Sequence, residues 1–305
     1  MRLLDVLNAP WAIVPEKLLE IREIYFTHLR GEKIDLRSIE ARLGQPLNNE
    51  HQGYEVVDGV AVLPIEGVIA KRMNLFTRVS GGVSTQLLER DFKAALSDDR
   101  AHSILLSVDS PGGNVDGVFE LARAICDARG RKPVVALGNG MMASASYWIA
   151  SAADRVLITG ETTQVGSIGV VATHTDISKA EEMRGVKTTE ITAGKYKRIA
   201  SEHRPLSDEA RAAIQEQVDH VYSVFVNEVA RHRGTDVETV LDKMADGRIF
   251  LGSKAIDAGL VDGVSTKADL IRQLNQEHEQ RTHERARAVA RQILNERRNA
   301  WKAKR

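Results

Sequence analysis

Residues 103–113 read SILLSVDSPGG, a short apolar run that ends on a proline and two glycines. Six residues from Ser103 to Val108 suit a strand buried on both faces, and Pro111-Gly112-Gly113 forces a sharp turn directly behind it. Val115 to Ala128 then carries apolar residues at helical spacing, and the pattern repeats on either side. Downstream, Pro133 to Leu137 (PVVAL) reads as a buried strand, Ala143 to Ala153 as a small-residue helix and Arg155 to Ile158 as a strand. Upstream, Val60 to Ile69 (VAVLPIEGVI) reads as a strand interrupted by Pro64 and Gly67, followed by a helix over Leu87 to Leu96. Short apolar strands alternating with helices predict an α/β fold of βα units around a largely parallel sheet.

Outward from this block the chain changes character. Pro15 to Arg30 places Leu18, Leu19, Ile21, Ile24, Tyr25 and Leu29 on one helical stripe, with Pro15 suited to the first turn. Gly44 to Gly53 is polar and turn-rich, as a linker would be. Asp208 to His232 predicts a long amphipathic helix, and Leu251 to Val261 a small helix-and-turn element. Residues 266–305 hold 11 Lys+Arg against 5 Asp+Glu with few apolar positions, which predicts a basic helical tail, exposed or paired with a partner. The expected division is an N-terminal helical segment and linker over 1–55, a central domain over 56–265 and the tail over 266–305. Met73, Leu75, Phe76 and Val79 fit buried packing or an apolar substrate-gripping loop.

The 305 residues carry 42 basic and 42 acidic side chains. That balance argues against a protein that coats nucleic acid, which needs a basic excess to displace counterions. Cys126 is the single cysteine, so an internal disulfide and a cysteine-built zinc site are both excluded. No stretch approaches the length of apolar sequence that spans a bilayer. Asp5, Asn8 and Pro10 interrupt the opening Met1 to Val14, which reads as a folded or docking N-terminus rather than a signal sequence. A soluble, cytoplasmic protein is expected.

Three glycine-containing stretches follow predicted strands. Gly112 and Gly113 allow close backbone approach and can present N–H donors to an oxyanion, or simply make a tight turn. Ser144 and Ser146 lie where a strand passes into a helix, a setting that suits a nucleophile and equally a capping serine. Gly166-Ser167-Ile168-Gly169-Val170 is a glycine-flanked turn, and Thr192 to Ile199 (TAGKYKRI) sets Lys195 and Lys197 beside a glycine. A lysine becomes a base only where desolvation disfavours its ammonium form.

SPGG after a strand, a serine at a small-residue helix start, GSIGV and then a glycine-flanked lysine resemble the signal peptide peptidase A family of serine peptidases. That family includes the phage and prophage head-maturation proteases of the protein C type. The resemblance covers about Val60 to Val264 and is looser at the serine, where the family's ASGGYY stands as Ala143-Ser144-Ala145-Ser146-Tyr147-Trp148. It implies a Clp protease/crotonase-like fold of stacked ββα units with a helical arm. It implies Ser144 as nucleophile and Lys197 as general base, with Lys195 a bystander and Ser167 orienting the lysine. The backbone N–H groups of Gly113 and Ala145 would form the oxyanion hole, and Gly112 and Gly166 would contact substrate. No cofactor or metal is implied.

The opening LLDVLNAPWAIVPEKLLEI resembles the N-termini of the phage and prophage branch, and the basic tail would fit a remnant of the scaffolding extension behind such proteases. Substrates would then be scaffold, portal or coat proteins, in the host cytoplasm or the prohead, with the enzyme in a homo-oligomeric ring. In some members of the family the serine and lysine come from neighbouring subunits. The alternatives are a soluble cytoplasmic peptide-degrading peptidase and a catalytically inert oligomeric assembly scaffold, for which Ser146 in place of glycine leaves room. His174 is a rival base, and an acyl-CoA enzyme of the crotonase type would leave Ser144, Ser167 and Lys197 without a role.

Overall fold

A computed structural model describes residues 10–19, 21–22, 53–72 and 82–302. In chain order the strands are β1 (Trp11–Ile13), β2 (Glu55–Val57), β3 (Val60–Glu66), β4 (Val68–Ala70), β5 (Gly82–Ser84), β6 (Ser103–Ser110), β7 (Gly112–Asn114), β8 (Val134–Ala143), β9 (Arg155–Ile158), β10 (Gln164–Gly166), β11 (Ile249–Leu251) and β12 (Gly263–Val264). The helices are α1 (Thr85–Ser97), α2 (Val118–Asp127), α3 (Ala145–Ser151), α4 (Ser178–Met183), α5 (Asp208–Arg233), α6 (Val237–Lys243), α7 (Ser253–Asp257) and α8 (Lys267–Lys302). Residues 15–19 and 21–22 are helical, in agreement with the stripe that begins at Pro15. The rest of that stripe, nearly all of the expected linker, and Met73, Leu75, Phe76 and Val79 lie outside the described residues.

The main sheet runs β11-β10-β8-β6-β3-β2, parallel at β3, β6, β8 and β10 and antiparallel at its two outer pairs. Its central strands are apolar at successive positions because both faces are covered. Ala61, Leu63, Ile104, Leu106 and Ala136 face α1, α2 and α3, where Phe92, Leu121, Ile125 and Trp148 are buried. Val60, Val62, Leu105, Val135 and Leu137 face the other way, onto Leu270, Ile271 and Leu274 in the first turns of α8. The tail therefore begins as part of the core and becomes solvent-exposed only beyond it.

Pro64 does not interrupt β3, contrary to expectation; it pairs in register with Ser107. β2 covers β3 only from Val60 to Val62, so the residue without an N–H sits where the second edge has no ladder to donate to. The break comes at Gly67, whose φ of 71° suits glycine.

β8 is longer than PVVAL predicts, and it serves two neighbours on one side. Val135 to Gly138 pairs with β9, and Met141 to Ala143 pairs with β10. Between them the strand bulges against β6, and the Asp109 carboxylate fills the bulge by accepting from Met141 N at 3.0 Å. A second, four-stranded sheet, β1-β7-β4-β5, carries the Gly-Gly turn as β7. Arg129 closes the far end of α3, donating to the carbonyls of Ser151, Ala152 and Ala153, and also to that of His232 near the end of α5. Trp148 stacks on Phe225 with ring centroids 4.5 Å apart, joining the same two helices.

Candidate active site

β8 ends at Ala143 and α3 starts at Ala145, so Ser144 makes the whole strand-to-helix turn. Its backbone takes φ 57° and ψ −120°, the geometry of the first central residue of a type II′ turn, where glycine is the usual occupant. The strain is of order 1–3 kcal/mol for a side-chain-bearing residue. Two bonds hold it: Ser144 N donates to Gly166 O at 2.7 Å, and Ser144 O accepts from Trp148 N at 2.9 Å. Ser144 is 1% exposed, and its Oγ has no hydrogen-bond partner among the described residues. A strained backbone and an unsatisfied buried hydroxyl meet on one residue, a combination that folding stability alone does not favour.

The glycine motifs surround this serine. A methyl group added at Gly112, where φ is 94°, would lie 3.0 Å from Ala143 O, 3.0 Å from Ala145 N and 2.3 Å from Ala12 O. The Gly-Gly turn therefore lies against the start of α3. Ala145 N is one of the amides a helix leaves without an internal acceptor. At Gly113 an added methyl would lie 1.9 Å from Ile69 O, so only glycine fits beside β4. On the opposite side, β10 pairs Gly166 with Ala143, which brings Ser167 level with Ser144. Ser167 also has a positive φ, 51°, and its N–H donates to Arg248 O at 2.7 Å.

Ser146 is fully buried and its hydroxyl is satisfied by backbone carbonyls. Its hydroxyl lies 2.9 Å from Ser110 O and 2.8 Å from Ala143 O, both acceptors, and so ties α3 to the SPGG turn. A hydroxymethyl here is part of the scaffold that joins β8, α3 and the SPGG turn.

The structure brings together Gly112, Gly113, Ser144, Ala145, Gly166 and Ser167, but neither lysine nor histidine reaches Ser144 Oγ. Lys197 is solvent-exposed. Lys195 pairs with Glu209 at 2.6 Å, and that carboxylate holds its ammonium above the ordinary lysine range. His174 Nε2 lies 3.0 Å from Ser201 O. The segment that carries Lys197 is anchored by Arg198, which bonds Glu190 at 2.6 Å and Glu202 at 2.7 Å. It presents Met183, Val186, Ile191 and Tyr196 to solvent.

Sequence reading missed one neighbour of the site. β1 pairs antiparallel with β7, Ile13 opposite Gly112 and Ala12 opposite Gly113. Its other edge exchanges two bonds with Val171, Trp11 N to Val171 O and Val171 N to Trp11 O, each 2.8 Å. The apolar run Trp11 to Val14 between two prolines was its only signal. Among the described residues no group of three or more His, Cys, Asp or Glu could hold a metal ion, and no helix is long and apolar enough to cross a membrane.

Residues 127–281 match the model of peptidase family S49, a span that includes Ser144, Ser167 and Lys197. The chain is 36% identical over 220 residues to capsid assembly protease C of Escherichia phage lambda, which is 72% of this chain and 49% of that protein. It is 34% identical over 218 residues to the head-tail preconnector protein GP5 of Enterobacteria phage P21, 72% of this chain and 43% of that one. A putative signal peptide peptidase of Enterococcus faecium is 33% identical over 222 residues, 72% of this chain and 63% of its own. The chain spans about half the length of the first two.

Proposed function

Because the chain belongs to peptidase family S49, whose fold is Clp protease/crotonase-like, we propose that it is a serine endopeptidase with Ser144 as nucleophile, processing capsid-assembly proteins. The observation that carries this reading is the strained turn that holds a buried, unpartnered Ser144 hydroxyl against a Gly-Gly turn. Two similar proteins, one named a capsid assembly protease and the other a head-tail preconnector protein, support scaffold, portal or coat proteins as substrates.

In this mechanism Lys197 Nζ, neutral, accepts the Ser144 proton as Oγ attacks the scissile carbonyl. The N–H groups of Gly113 and Ala145 hold the oxyanion, where loss of one such donor costs ~10²–10³ in rate. The C–N bond then breaks, and the amine leaves with the proton from Lys197. Water, deprotonated by the same lysine, attacks the acyl-enzyme; the acyl–Oγ bond breaks, and Ser144 Oγ takes that proton back from the lysine. Ser167, level with Ser144, orients the lysine.

Lys197 of a neighbouring copy completes the dyad. Its exposure in the single chain, together with the exposed apolar side chains of residues 183–196, supports a subunit boundary at this segment. Burial there would supply the desolvation that a lysine base requires.

Labelling with a fluorophosphonate probe, located by mass spectrometry, tests the assignment. An adduct on Ser144 in the wild type, absent from Ser144→Ala and Lys197→Ala, is expected. An adduct that survives Lys197→Ala would transfer the base role to His174, and its absence from a folded wild-type assembly would favour an inert scaffold.

A further inference from the structure

Resting on the reading of Ser144 as nucleophile, we propose that Trp11–Val14 is a tethered occupant of the peptidase's own substrate slot, so that the chain is self-blocked until this segment withdraws. A nucleophile that is 1% exposed admits no peptide, so something over it has to move. The slot has two walls. One is β7, the strand made by the Gly-Gly turn, and the other is Val171, four residues beyond Ser167. β1 lies between them in extended conformation, held by main-chain bonds on both edges. That is the mode by which a sheet edge accepts any extended peptide, with side chains adding specificity.

The placement relative to the chemistry is that of a bound peptide. Ala12 O approaches the Gly112 α-carbon at the point where an added methyl would also meet Ala145 N. The chain then runs past the turn, and Val14 N donates to Pro111 O at 2.9 Å. Trp11, Ala12, Ile13 and Val14 are all buried, so the segment excludes water from the slot along its whole length. Among the described residues its ladder partners are β7 and Val171 and not β3, β6 or β8, so its withdrawal leaves the main sheet's ladders intact.

The test uses the full chain carrying Ser144→Ala, so that binding is read without turnover. The probe is a fluorescein-labelled peptide of residues 8–16, NAPWAIVPE. Ala12→Asp forces a carboxylate into a buried position and should vacate the slot; Trp11→Ala is a milder second variant should the first fail to fold. Anisotropy should show the peptide binding both variants about tenfold or more tightly than the chain with its own segment intact, as expected if that segment fills over nine-tenths of the slots. Equal affinity for all three chains, or no binding to variants of native circular dichroism, overturns the proposal. In the Ser144 background, fluorophosphonate labelling separates the two readings. Equal labelling rates with and without Ala12→Asp would leave the peptidase standing and remove the self-block. Tighter peptide binding with no labelling anywhere would keep the slot and remove the peptidase.

Discussion

Ser144 and Ser167 stand side by side as the first residues beyond two neighbouring parallel strands, and both have left-handed backbones, with φ of 57° and 51°. The bond from Ser144 N to Gly166 O, 2.7 Å, ties one turn to the other, so neither can relax alone. Ligand sites of parallel sheets gather at the carboxyl ends of strands because each chain must turn there. Here two consecutive turns on one side of β8 each place a serine at that edge.

The first prediction follows from the cost of that arrangement. Ser144→Ala should abolish labelling and yet raise stability by about 1 kcal/mol, since it deletes an unsatisfied buried hydroxyl. Ser144→Gly should be at least as stable as the wild type, because glycine adopts the positive φ without strain. Urea midpoints of the three proteins check this, and a loss of stability in both variants would refute the strained-turn account.

Ser146→Gly should behave in the opposite way. It removes the hydroxyl that ties α3 to Ser110 O and Ala143 O, and it adds backbone freedom in the first turn. The expected result is a loss of about 1–2 kcal/mol with the rate of probe labelling unchanged. Loss of labelling without loss of stability would give Ser146 a direct part in the chemistry.

If the dyad crosses a subunit boundary, two dead proteins should rescue one another. Ser144→Ala and Lys197→Ala, unfolded, mixed in equal amounts and reassembled, should recover about a quarter of wild-type activity through random pairing in a symmetric ring. No recovery, in assemblies shown by native mass spectrometry to be mixed, would place both residues within one chain.

His232 makes a pH prediction. Burial first, then the nearby Arg231, Arg129 and Arg123, push its imidazole down from 6.5 to about 3. The neutral ring fits its contacts: Nε2 faces the Arg231 guanidinium at 3.1 Å, and Nδ1 faces Ser151 Oγ at 2.9 Å, whose own proton goes to Trp148 O. Below pH 6.5 the unfolded chain binds a proton that the folded chain refuses until about pH 3, so stability falls as pH drops through that window. Between pH 7 and pH 5 the wild type should lose about 2 kcal/mol more than His232→Asn, read from urea midpoints at each pH. Parallel losses in the two proteins would rule the effect out.

Most of the α/β alternation was legible because it rests on local pattern. SILLSV, PVVAL and RVLI are apolar on successive residues, and the glycines and prolines that end them are turn chemistry. The turn at Ser144 was legible through its neighbours, whose small side chains let β8, α3 and β7 approach. What could not be read was pairing between distant segments. Trp11–Ile13 finds β7 about a hundred residues away, and no periodicity in either segment announces the other. Asp109 filling the β8 bulge and Ser146 bonding back to Ser110 are likewise contacts across the fold. Pro64 was misread as a break because the extent of β2 decides whether its missing N–H matters. Among the described residues Lys197 has no side-chain hydrogen bond or ion pair that marks it as a base; its assignment rests on motif order.

The start of α8 bears on where this chain can be divided. Leu270, Ile271 and Leu274 seal the sheet face made by Val60, Val62, Leu105, Val135, Leu137 and Leu157. Arg155 grips Glu277 with two bonds, of 3.0 and 3.2 Å, and His278 stacks on His102 at 4.1 Å. A fragment ending at residue 265, where the composition changes, would expose that greasy face and precipitate. One that retains the helix through residue 278 would keep its lid and shed only the charged rod beyond.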